Sequence, residues 1–68
     1  MKISARNQFT GKVIDVKEGV VTAKVTVDIG DGKIITSTIS MEALKDLEIA
    51  VGREVTTVIK SSSVMLMA

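Results

Sequence analysis

Val21-Thr22-Ala23-Lys24-Val25-Thr26-Val27-Asp28-Ile29, followed by Gly30-Asp31-Gly32, is the stretch that decides the fold. Apolar residues at 21, 23, 25, 27 and 29 alternate with Thr22, Lys24, Thr26 and Asp28. A strand with one buried face carries that pattern, because successive side chains of a strand point to opposite faces. The Gly-Asp-Gly that follows supplies the positive-φ positions of a tight hairpin turn. A further strand, rich in Ile and Thr, is therefore expected over residues 33–39.

Residues 8–16 read as the preceding strand. Phe9, Val13, Ile14 and Val16 place apolar groups on both of its faces, and Gly11 permits a bend or bulge. Lys17-Glu18-Gly19 is a turn. After Ser40 the period changes: Met41, Leu44 and Leu47 recur at i, i+3 and i+6, which predicts a short helix with Ser40 as its N-cap. Glu42 in the first turn and Lys45 near the last suit the helix dipole. Gly52 turns the chain into a strand over residues 54–60. The apolar segment 64–68 is expected to be a last barrel strand that also pairs with, or packs against, a neighbouring copy. Residues 1–68 thus form one domain, without repeat or linker. The fold class is all-β with one short helix, an OB-like small β-barrel.

Composition narrows the function. A chain of 68 residues buries only about 60% of its extended surface, so its core alone is marginal. Small scaffolds compensate with disulfides, a metal or association. The chain has no Cys and no His, which removes disulfides, thiolate sites, the commonest metal ligand and the usual general base. Association remains, and it fits a chain that is 46% hydrophobic with Phe9 as its one aromatic. No apolar run approaches the ~20 residues that cross a bilayer, and no signal peptide is evident, so a soluble cytoplasmic protein without membrane contact is expected. Carboxylate pairs such as Asp46 with Glu48 and Asp28 with Asp31 fall in turns and on polar faces, and no calcium loop is present. The chain is not expected to be an enzyme. Single-stranded nucleic acid is a weak alternative, since OB-like barrels hold bases on aromatic side chains and a net charge of +1 gives no broad attraction.

Charge is distributed more tellingly than its total implies. Residues 1–14 carry three bases and no acid, residues 15–54 carry all eight acids, and residues 55–68 carry only Lys60. Ile3-Ser4-Ala5-Arg6-Asn7-Gln8 and Val58-Ile59-Lys60-Ser61-Ser62-Ser63-Val64 are thus two donor-rich, acid-free segments. A tetrahedral oxyanion has only acceptor oxygens, so its pocket must supply donors and exclude carboxylates. Arg6 offers a paired guanidinium contact, Lys60 a point charge, and Ser4, Ser61 and backbone N–H groups neutral donors. The helix start after Ser40 adds free amides. On composition alone the plain alternatives stay open. Arg6 and Lys60 read equally as edge-strand charges, Ser40 as a simple N-cap, and residues 61–63 as a turn. A structural or interaction module without a small ligand remains a reading of the same residues.

Ser4-Ala5-Arg6-Asn7-Gln8, then Gly11-Lys12-Val13, then the lysine–serine element at 58–64 resemble the molbindins, the Mop family of small molybdate-binding proteins. The resemblance spans essentially the whole chain. It implies an OB-like barrel in strand-exchanged dimers that assemble into a hexamer, a trimer of dimers. It further implies molybdate or tungstate bound at subunit interfaces for intracellular storage and molybdenum homeostasis, with no organic cofactor and no metal bound except as oxyanion. Carried over residue by residue, the binding set is Ser4, Ala5 and Arg6 from the first motif, Lys60 and Ser61 from the last strand, and Ser40 at the helix start. Some relatives carry a hydroxyl where this chain has Ala43, whose backbone amide or a water is expected to substitute. A second kind of site near the threefold axis is assigned to the turn amides at Gly19 and Val20. With no His in the chain, anion affinity is expected to be flat between about pH 6 and 8.

Overall fold

The structure is a computed structural model and describes residues 3–68. Four strands, β1 (Asn7–Glu18), β2 (Thr22–Gly30), β3 (Lys33–Ser40) and β4 (Glu54–Ile59), form one antiparallel sheet in the order β3-β2-β1-β4. A helix, α1 (Met41–Asp46), follows β3, and a 3-10 turn over Ser61–Ser63 follows β4. The alternation in β2 works as its period demands: Ala23, Val25 and Val27 are buried, while Thr22 and Lys24 between them are exposed. Val21, expected on the same buried face, precedes the strand and is exposed. Its carbonyl accepts the Met41 N–H at 2.8 Å and so ties the start of β2 to the start of α1.

The β2–β3 turn has the backbone its residues predict. Asp31 (φ 53°) and Gly32 (φ 73°) both sit in the left-handed region, as a two-residue hairpin with the native twist requires. Asp28 Oδ1 accepts the Gly30 N–H at 2.8 Å and fixes the entry. β1 is longer than expected and shared between two partners. Its first half pairs with β4, from Asn7↔Ile59 to Lys12↔Glu54, and its second half with β2, from Lys12↔Asp28 to Glu18↔Ala23. The register breaks between Val13 and Asp15. The extra residue is Ile14, which turns outward while Val13 is fully buried. The bulge therefore lies three residues beyond Gly11. Gly11 serves a close approach instead: a Cβ there would collide with the Asp28 carbonyl oxygen.

α1 begins as its cap residue predicts, with Ser40 Oγ accepting the Ala43 N–H at 3.0 Å. It ends one residue before Leu47. Glu48 adopts φ 53°, its N–H reaches the Lys45 carbonyl and the Ile49 N–H the Leu44 carbonyl, the paired bonds of a Schellman stop. Leu44 drops into the core beside Val13, Ala23, Val25 and Val27, whereas Leu47, still in helical backbone as the C-cap, is exposed because a strict spacing of three drifts round a helix of 3.6 residues per turn. Val16, Ile29, Ile39, Met41, Ile49 and Val55 pack around that small core.

The sheet curls into a half-barrel and stays open between β3 and β4. Val25, Val27, Ile35, Ile39, Val55 and Ile59 line a mostly apolar groove of about 290 Å³ in the gap. Residues 64–68, expected as a last strand of the same subunit, form no strand here. Bonds from Ser63 N–H to Lys60 O (2.8 Å) and Val64 N–H to Ser61 O (3.2 Å) turn the chain off the sheet, leaving Met65, Leu66 and Met67 more than nine-tenths exposed. Among the described residues no helix is long and apolar enough to cross a membrane.

Candidate functional site

The register of β1 against β4 builds the site. The ladder ends at the pair Asn7↔Ile59, and two short arms continue past it: residues 3–6 on one side and Lys60 with the Ser61–Ser63 turn on the other. The arms face a shared depression of about 570 Å³. Ser4 and Ala5 line it from the first arm, Lys60, Ser61 and Ser62 from the second, and Ile3 and Val58 give it an apolar border. No lining residue is acidic. Segments 54 residues or more apart in sequence thus bring hydroxyls and an ammonium into one concavity.

Arg6 directly follows Ala5 and is exposed, but does not line the depression. Lys60 and Ser61 lie not in the last strand, as expected, but in the turn that ends it: Lys60 is the N-cap of the 3-10 turn, with φ −64° and ψ 132°. Among the described residues the ion pair recorded is Arg53–Glu48 at 3.6 Å, and it involves neither Arg6 nor Lys60. Among the described residues their two positive charges therefore form no ion pair with a carboxylate.

Ser40 sits apart, at the β3–α1 junction, where its hydroxyl is already an acceptor for the Ala43 N–H. That bond also occupies the amide expected to replace a missing hydroxyl at 43. Gly19 and Val20 lie in the β1–β2 turn, away from the depression. The Gly19 N–H donates to the Thr22 carbonyl at 2.8 Å and so is not free, while Val20 is almost wholly exposed. Val58 and Ser62 were not singled out from sequence. Ser62 enters the depression from within the Ser61–Ser63 turn, and the run of three serines after Lys60 is the signal that could have identified it. Among the described residues no cluster of three or more His, Cys, Asp or Glu could hold a metal ion.

Residues 3–66 match the TOBE domain family. The chain is 52% identical over its full 68 residues, and over the whole of the relative, to molybdenum-pterin-binding protein 3 of Clostridium pasteurianum. Its fold superposes with a TM-score of 0.94 on a molybdate-binding protein from Sporomusa ovata, 29% identical, with all of both chains covered. It superposes with a TM-score of 0.83 on the cytoplasmic molybdate-binding protein ModG solved with molybdate bound, 39% identical, where 97% of this chain covers 53% of that one.

Proposed function

The chain belongs to the TOBE-domain family and is a homologue of the molybdenum-pterin-binding (Mop) proteins, and on that premise we propose that it binds molybdate as an intact oxyanion between its two donor-rich arms. Tungstate, of equal charge and shape, is taken by the same groups. One observation carries the reading: Ser4 and Ala5 share a carboxylate-free depression with Lys60 and Ser61. The ammonium of Lys60 and the guanidinium of Arg6 offset the dianion's charge, and hydroxyls and amides orient it. Selection against sulfate rests on cavity size, since charge and geometry are the same.

The binding unit is a homo-oligomer, a hexamer built as a trimer of dimers. Five buried side chains are a small core, and the exposed Val20, Val21, Leu47, Val51, Met65, Leu66 and Met67 are apolar surface that association removes from water. Ser40, outside the depression, reaches the anion from a neighbouring copy, and the turn at Gly19 and Val20 forms the second kind of site. The protein is a binding protein rather than an enzyme. It holds the anion in the cytoplasm for storage and homeostasis, with no metal bound except as oxyanion and no nucleic acid or membrane partner.

Native mass spectrometry with and without sodium molybdate, alongside calorimetric titration, tests this. Six subunits carrying bound molybdate, with equimolar sulfate failing to displace it, is the expected result. An assembled protein that retains no molybdate overturns the reading.

A further inference from the structure

Two side-chain amides fasten the arms of the depression, and neither lines it. Asn7 Nδ2 donates to the Ile59 carbonyl at 3.3 Å, a long bond added to an existing strand pair. Gln8 Nε2 donates to the Ala5 carbonyl at 2.8 Å, where no ladder holds the chain. Gln8 itself borders the neighbouring surface beside Leu47, Ile49 and Arg53. The Ala5 carbonyl is an acceptor within an arm whose side chains are donors, and an acceptor facing a dianion is repelled. In a trans peptide the C=O and N–H point to opposite sides, and the described residues contain no cis bond. Drawing the Ala5 carbonyl toward Gln8 therefore turns the Arg6 N–H the other way.

We propose that Gln8 is a positioning residue for the oxyanion site. It withdraws the Ala5 carbonyl from the anion and leaves the Arg6 N–H on the opposite side of that peptide. The inference rests on the oxyanion reading above. Without the Gln8 bond the arm samples other conformations, and affinity falls by the fraction of time it is competent. One exposed hydrogen bond corresponds to an affinity loss of about two- to tenfold.

The test is calorimetric titration of sodium molybdate into the wild type, Gln8→Ala, Gln8→Glu and a control, Thr10→Val, whose hydroxyl pairs with that of Thr56 (3.1 Å) on the exposed face. Gln8→Ala is expected to bind about two- to tenfold more weakly. Gln8→Glu, which cannot donate and adds negative charge, is expected to bind at least as weakly, and Thr10→Val as the wild type does. In the wild type, the Arg6 backbone amide is expected to shift in the ¹⁵N–¹H spectrum as molybdate is added, and in Gln8→Ala to shift less at the same molybdate concentration. Equal affinity of Gln8→Ala and the wild type, or an Arg6 amide unmoved at saturation, overturns the role of Gln8 alone. A wild-type protein that takes up no molybdate overturns the oxyanion reading itself and this inference with it.

Discussion

Asn7 and Ile59 are the terminal pair of the β1–β4 ladder, and the Asn7 amide adds a bond to the Ile59 carbonyl. Just past that pair stand Arg6 on one arm and Lys60 on the other, and neither takes part in the ion pair found among the described residues. A dianion held by the two arms would offset both charges. Each charge-assisted contact contributes about 1.5–3 kcal/mol. Arg6→Ala and Lys60→Ala are each expected to weaken molybdate binding about 10- to 100-fold. The anion-free melting temperature is expected to stay level or rise slightly. Calorimetry checks the first expectation and thermal melting the second; unchanged affinity in both variants removes the two cations from the site.

Glu48 is held at φ 53° to complete the stop after α1, a conformation that costs a non-glycine residue about 1–2 kcal/mol. Its ion pair with Arg53 is long, 3.6 Å, between largely exposed side chains, and offsets little of that cost. Glu48→Gly is therefore expected to stabilise the fold by about 0.5–1 kcal/mol. Urea denaturation at fixed protein concentration measures it, and a drop in the midpoint would show that the Arg53 contact outweighs the backbone strain.

Gly11 gives the opposite sign. A methyl group at its Cβ position collides with the Asp28 carbonyl oxygen, and backbone rather than a flexible side chain stands in the way. β1 and β2 must separate where Lys12 pairs with Asp28. Gly11→Ala is expected to destabilise the protein by about 1–3 kcal/mol, read as a lowered urea midpoint. A midpoint equal to the wild type's would mean that the strands spread at no cost.

These two positions mark how far sequence alone reaches. The β2–turn–β3 unit is legible because its signals are local: a period of two, then residues suited to positive φ. Ser40 as a cap is legible for the same reason. Ile14 is not, because a bulge is a relation between two strands and leaves no mark on one of them. Leu47 continues the spacing of three, yet at 3.6 residues per turn that spacing has drifted off the buried face by the C-cap. In the candidate site the donor-rich composition of both arms is visible in the chain. What holds them is not, since the grip of Gln8 on Ala5 and the 3-10 turn that follows Lys60 depend on local geometry.

The C-terminal segment reads as a strand because its residues are apolar, but a strand also needs an edge to pair with. Within one chain the Ser61–Ser63 turn directs it away from the sheet, and Met65, Leu66 and Met67 stay in water. Meanwhile the half-barrel leaves an apolar groove between β3 and β4, flanked by Ile35, Ile39, Val55 and Ile59. In the proposed assembly a second copy's segment would satisfy both deficits at once, hiding three large apolar side chains worth about 1.5–3 kcal/mol each when fully buried. Deleting residues 64–68 is accordingly expected to shift the assembly to smaller species at micromolar concentration and to lower its melting temperature by several degrees. Because Lys60 and Ser61 remain, loss of molybdate binding in the same variant would follow from lost association rather than lost donors. Native mass spectrometry across a dilution series separates the two, and a truncated chain that keeps the full subunit number would show that the segment takes no part in assembly.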